Sequence, residues 1–301
     1  MRLCDNRPLF QIIIARASRE NGISEAYIEK DYYAISLLKK LISKNNNLVF
    51  KGGTSLSVCH HIINRFSEDI DISYDGETIT TSERKKIKYN VFLPSINDTG
   101  LKLINADTIR SRRIFNRYLC EYESISGTSG TVIAEWATQT PSFPVEVKTA
   151  QTIIGKYLDS IGRQDLVELY ELGPFETKTL KKERTLVDKI FAICDYHISG
   201  LLARQSRHIY DIHQLLPLVP LDDNFLQLFE KVKEYRLNIE TCYSAKSDKS
   251  ISELLLELIE QKTFLGDYVQ MTYPLLYDRL QYEECIPPLK EIAMFLKEKG
   301  L

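Results

Sequence analysis

Long apolar runs are missing where a leader or anchor would need one: in MRLCDNRPLFQIIIARASRE the uninterrupted stretch runs only from Ile12 to Ala15 before Arg16. That is too short for the core of a signal peptide or for a bilayer span, so no membrane association is expected. The six cysteines (Cys4, Cys59, Cys120, Cys194, Cys242, Cys285) lie far apart and include no C-x-x-C pair. This argues against a structural zinc site and a compact disulfide framework, and reduced thiols in a cytoplasmic protein are the expected state. Net charge is also small, −2 from 39 Lys or Arg against 41 Asp or Glu, so bulk electrostatics neither demand nor exclude a nucleic-acid partner. No internal repeat or low-complexity tract stands out.

What the chain does have is enough length and apolar content for a sizeable core, 301 residues of which 44% are hydrophobic. Two lobes are expected at this size, residues 1–175 and 176–301, with the boundary at Gly173-Pro174. Charge is unevenly spread. Residues 81–120 hold nine Lys or Arg against three Asp or Glu, a local +6, whereas residues 201–301 hold 12 against 16.

The most informative stretch is 49–73, VFKGGTSLSVCHHIINRFSEDIDIS. Leu48-Val49-Phe50 is a short apolar run that stops at Gly52-Gly53, and Thr54-Ser55 then supply hydroxyls where a helix would start, so the pattern predicts strand, turn, helix. Two residues without Cβ let backbone approach a ligand closely, and free N–H groups in the first helical turn attract a phosphate. Gly52, Gly53, Thr54 and Ser55 are therefore candidate nucleotide-binding residues. Asp69-Ile70-Asp71-Ile72 alternates strictly, which in a strand puts both carboxylates on one face and both isoleucines on the other. Adjacent acids repel unless a cation lies between them, and Mg²⁺ prefers one or two carboxylates plus phosphate oxygens to a cage made wholly of protein. Turn and strand together suggest a nucleoside triphosphate (NTP) site, with Arg65 adding charge to the same phosphates.

Elsewhere, residues 8–20 and 24–43 read as helices, the second including YIEKDYY with Glu29, Lys30 and Asp31 charged on several sides, open between a solvated face and a functional block. Residues 81–90 read as a basic helix, and 101–106, 113–123 and 131–138 as strands. Lys85, Lys86, Lys88, Arg110, Arg112, Arg113 and Arg117 gather there as a possible phosphate-tracking surface. Phe143 to Lys148 reads as a short strand. Beyond the boundary the pattern is helical over 182–199, after Ser206, and over 222–240, 250–265 and 287–299. The fold class is α/β, a mixed sheet flanked by helices with an α-helical C-terminal lobe.

FKGGTSLS followed by RFSEDIDI resembles the first motif of the nucleotidyltransferase superfamily, and in particular the AbiEii family of nucleotidyltransferase toxins. YIEKDYY, ERTLVDKIFAI and RQSRHIYDIHQL are similar to further AbiEii blocks in the same order. The resemblance implies a nucleotidyltransferase-like fold, Mg²⁺ dependence, and transfer of a nucleoside monophosphate from an NTP, with tRNA 3′ ends as the acceptor and a cognate antitoxin encoded nearby. It also implies a third carboxylate on a later strand in the pattern apolar-acid-apolar: Glu146 fits, joining Asp69 and Asp71 as metal ligands, with Glu135 in AEWA as the rival. Carried over residue by residue, Lys189 is the motif lysine that stabilises charge and Asp211 the motif aspartate, with Arg207 in the nucleotide-facing run and His208 beside it. Two alternatives use the same residues: a protein side chain as acceptor, or an NTP-binding module without turnover that acts through a partner.

Overall fold

The computed structural model describes residues 1–67 and 69–301, so Glu68 of the RFSEDIDI string lies outside the described residues. The chain divides into two compact units, residues 1–59 with 67–179 and residues 60–66 with 180–301. The division after Thr179 falls beyond the Gly173-Pro174 turn. Between the glycine turn and the aspartate strand, the short link 60–66 belongs to the second unit.

Seven strands make one sheet in the first unit: β1 (Leu48–Lys51), β2 (Ile70–Tyr74), β3 (Lys102–Leu103), β4 (Phe115–Glu123), β5 (Ser129–Ala137), β6 (Val145–Ala150) and β7 (Phe175–Leu180), in the order β3-β4-β5-β2-β1-β7-β6. β1 runs antiparallel to β2 and parallel to β7, and β2 runs parallel to β5. The sheet is mixed, as expected. β7 was not expected: FETKTL carries four polar residues, yet its β-branched Thr177 and Thr179 are buried and it inserts between β1 and β6.

Side-chain alternation decides which face of the sheet is covered. Along β4, Asn116, Tyr118, Cys120 and Tyr122 are buried, while Phe115, Arg117 and Glu123 are exposed. Helices α1 (Arg7–Asn21) and α2 (Glu25–Lys44) pack on the buried face, where Tyr33 stacks on Tyr122 with ring centroids 4.1 Å apart. The segment after α3 (Gly52–Val58) and β2 adds α4 (Thr81–Ile87), a π-helical turn Lys88–Phe92 and α5 (Leu93–Asp98). From this segment Phe92 stacks on Tyr118 at 4.5 Å and meets Trp136 edge-on.

The two acids of YIEKDYY, Glu29 and Asp31, meet interior donors. Glu29 is 1% exposed and accepts from Ser124 Oγ (2.6 Å) and Ile125 N (2.8 Å), pinning the β4–β5 turn. Asp31 Oδ2 accepts from Ile153 N (2.7 Å), the first residue of α6 (Ile153–Ser160), which α7 (Gln164–Leu169) follows. Each carboxylate satisfies a donor that would otherwise be stranded in the interior.

The second unit is helical: α8 (Lys182–Ser199), α9 (Arg207–Leu215), α10 (Asp223–Leu237), α11 (Ile251–Glu260), the single turn α12 (Leu265–Asp267) and α13 (Ile286–Glu298). Its core includes Leu186, Ile190, Phe191, Ile212, Phe229, Leu258 and Leu296. Arg236 spans it, bonding Asp195 at 2.9 Å and lying over the Phe191 ring at 4.9 Å.

Burial pushes the Asp31 carboxyl up to about 7, against the opposing Ile153 N–H and Lys156 charge. A folded-state value above the ordinary carboxyl value means that this group's stabilising contribution is full below roughly pH 4 and is lost as pH rises through the folded value. The urea midpoint of the wild type relative to Asp31→Asn is therefore expected to fall as pH rises from acid to about 7 and to level off above it; a pH-independent difference would contradict this.

Candidate active site

β1 ends at Lys51 and the chain turns at Gly52, whose φ of +74° lies in the left-handed region. A Cβ built on Gly52 would stand 1.9 Å from Asp71 Oδ2 and 2.8 Å from its Cγ. Dihedral and space both require glycine here, because bare backbone abuts a carboxylate. The two hydroxyls that follow are turned inward. Thr54 Oγ1 donates to the Asp69 carbonyl (2.6 Å) and lies 3.0 Å from Ser67 Oγ, while Ser55 Oγ donates to the Gly52 carbonyl (2.9 Å). Both side chains are buried, and these bonds brace the turn.

Ile70 and Ile72 of β2 enter the core and Asp71 points to the other face. Strand register then lines up a row of charge: Lys51 on β1 is opposite Asp71, Asp71 is opposite Glu135 on β5, and Glu135 is opposite Arg117 on β4. Residues paired across neighbouring strands project from the same face, so all four share one side of the sheet. Arg117 donates Nε (2.8 Å) and Nη2 (2.6 Å) to Glu135 Oε1. Asp69 lies just before β2.

The strand order corrects the placement of the third acid. Glu146 is on β6, separated from β2 by β7 and β1, which is about 14 Å at the usual strand spacing. Its carboxylate pairs with Lys148 at 3.1 Å. Glu135, the rival, is the acid that register sets beside Asp71.

In the helical unit, Arg65, Lys189 and Asp211 do come together, as a closed buried trio. Arg65 donates Nε to Asp211 Oδ1 (2.7 Å), Nη2 to Asp211 Oδ2 (2.8 Å) and Nη1 to the Phe66 carbonyl (2.9 Å). Lys189 Nζ donates to Asp211 Oδ2. Burial alone would raise the Asp211 carboxyl, but the Arg65 and Lys189 cations outweigh it and hold the group well below its ordinary range. Burial lowers the Lys189 ammonium against the pull of Asp211. The Arg65 guanidinium is thus engaged by Asp211 and the Phe66 carbonyl, and Asp211 is 0% exposed. The 60–66 link is held further by an Arg65–Leu276 bridge and by Asn64 N donating to Tyr210 Oη (3.1 Å). Arg207 opens α9 half-buried, and the next residue, His208, is kept neutral by burial and by the nearby Lys189 and Arg207 charges.

A family model described as nucleotidyl transferase AbiEii toxin, type IV toxin-antitoxin system, matches residues 36–285. The chain belongs to the AbiEii family. It is a nucleotidyltransferase, and the match takes in most of the helical unit beyond the blocks legible as motifs. Among solved structures the chain is similar to MenT4, a nucleotidyltransferase toxin from Mycobacterium tuberculosis, at 16% identity over 93% of this chain and 96% of that one, with a TM-score of 0.45. No curated protein sequence matches.

AbiEii chemistry needs an NTP, and a divalent cation usually accompanies it. Asp69 and Asp71 are hard oxygen donors two residues apart, a set that fits Mg²⁺ sharing its remaining positions with phosphate and water. Among the described residues no group of three or more His, Cys, Asp or Glu is gathered together. What the sequence did not reveal as part of this row is Lys51 and Arg117; strand parity, once the partners of β2 are known, is the signal that finds them.

Two outcomes follow. Gly52→Ala drives a methyl into Asp71 and is expected to lower nucleotidyl transfer by about 100-fold, the cost of roughly 1 Å of misplacement, with the circular dichroism spectrum retained; near-normal turnover would contradict the close approach. Asp211→Asn leaves two buried cations without their counter-charge and is expected to lower unfolding free energy by about 3–5 kcal/mol in urea titrations.

Proposed function

We propose that this AbiEii toxin transfers a nucleoside monophosphate from an NTP to the 3′ hydroxyl of an RNA, with the tRNA end as acceptor, and that it does so with Mg²⁺ held by Asp69 and Asp71. The observation that carries the reading is the register of Asp71 with Glu135 beside the bare Gly52 backbone. When bound, the cation supplies charge neutralisation at the phosphate oxygens and orients them.

In the transfer, the acceptor oxygen attacks the α-phosphorus, the bond from that phosphorus to the bridging oxygen breaks, and pyrophosphate leaves with the electron pair. Glu135 takes the proton of the attacking hydroxyl. Its carboxylate shares the face of Asp71 and is oriented by Arg117, which supports it as the base. Gly52 and Gly53 leave backbone open to the triphosphate, with Thr54 and Ser55 holding that turn in shape. Lys51, opposite Asp71, contributes positive charge to the same face.

Arg65, Lys189 and Asp211 act at one remove. They do so by fixing residues 60–66 within the helical unit. Arg207 remains a candidate for contact with the nucleotide. A cognate antitoxin is the expected protein partner, and the cytoplasm, where NTPs and tRNA are found, the expected location; among the described residues no helix is long and apolar enough to cross a membrane.

Purified protein with Mg²⁺, labelled NTPs and bulk tRNA is expected to label the RNA. Glu135→Gln should slow labelling by about 10²–10⁴-fold, the usual contribution of a positioned base, whereas Glu146→Gln should stay within a few-fold of wild type. Unlabelled tRNA with all four NTPs would contradict the proposal, and label on protein with RNA absent would move the acceptor to a side chain.

A further inference from the structure

The charge row does not end at the acids. On β4, Phe115 lies two residues before Arg117, so it shares the Asp71 face of the sheet, and it is 36% exposed. Before it, separated by the exposed Ile114, Arg110 to Arg113 form a turn closed by Arg113 N donating to the Arg110 carbonyl (3.0 Å). That turn is locked to β4 by the buried Asn116 amide, which accepts from Arg110 N (2.9 Å) and donates to the Arg110 carbonyl (3.0 Å). Arg84 Nε adds a bond to the Ser111 carbonyl (3.2 Å). Arg110, Arg112 and Arg113 are all exposed. The result is a preorganised cationic turn, an exposed aromatic ring and an arginine, in chain order, the last of them in the row of Glu135 and Asp71. Arg117 is two strand spacings from Asp71, roughly 10 Å.

An exposed ring flanked by arginines is the arrangement that binds single-stranded nucleic acid: the ring stacks a base whatever its identity, and the cations follow the backbone. We infer that Phe115 and the Arg110–Arg113 turn form the landing surface for the single-stranded 3′ end of the RNA acceptor, with Phe115 stacking an unpaired base and Arg112 and Arg113 contacting phosphates. This rests on the proposal that the acceptor is RNA, and it adds which surface delivers it. Charge favours RNA over an apolar partner, since this part of the chain carries nine Lys or Arg against three Asp or Glu over residues 81–120.

The test is fluorescence anisotropy with a labelled single-stranded RNA of about 12 nucleotides, without NTP, using the full chain as wild type, as Phe115→Ala and as the double variant Arg112→Glu, Arg113→Glu. Phe115→Ala is expected to weaken binding by about 5- to 150-fold, the value of one stacked base. The double variant should weaken it further and flatten the plot of log K against log salt by about 1.4, two phosphates' worth for a single strand. NTP affinity, measured separately by calorimetry, should not change in either. Unchanged RNA affinity in both variants overturns the inference, as does a wild type that binds no RNA or a parallel loss of NTP affinity. The two proposals fail differently: wild type that binds RNA through these residues but never labels it contradicts RNA as the acceptor of transfer, whereas labelling whose RNA KM ignores both variants contradicts only the surface.

Discussion

The close approach of Gly52 to the Asp71 carboxylate is the constraint on which the site depends. A side chain at position 52 would occupy the space of Asp71 Oδ2, so the strand end, the turn and the acid are fixed together. The left-handed backbone of Gly52, the inward bonds of Thr54 and Ser55, and the isoleucines that anchor β2 all serve this one juxtaposition. Because side chains alternate along strands, fixing Asp71 also fixes what stands beside it. Lys51, Glu135 and Arg117 are on the same face because the register of three neighbouring strands puts them there.

The second fixed point is electrostatic. A lone buried carboxylate would be costly, and so would two lone cations, but Asp211 with Arg65 and Lys189 satisfies all three. The trio acts on the link 60–66, which the fold assigns to the helical unit although it joins two elements of the sheet unit. The AbiEii motif lysine and motif aspartate thus hold residues 60–66 within the helical unit.

Much of this was legible from residues. The mixed sheet, the flanking helices, the helical C-terminal part and the membership of the AbiEii family were all signalled by periodicity and by the ordered motifs. Asp71 and Gly52 were recognisable because alternation and a double glycine are local patterns. The distance of Glu146 from Asp71 was not legible, because adjacency in a sheet is not a local property. FETKTL, polar and short, gives no strand signal, yet β7 inserts between β1 and β6 and carries Glu146 away from Asp71. The same limit hid Glu29 and Asp31, which look solvated on a helical wheel but meet backbone donors more than ninety residues away. Arg65 looked available for phosphate because its partner, Asp211, is distant in sequence and near only in the folded helical unit.

The claim that Asp71 is the hub of a cation site is tested most directly by electron paramagnetic resonance of Mn²⁺ added to the protein with a non-hydrolysable NTP analogue. The account predicts that Asp71→Asn abolishes the protein-bound Mn²⁺ signal while Glu146→Gln leaves it as in wild type. A bound signal that survives Asp71→Asn, or that disappears with Glu146→Gln, would contradict it.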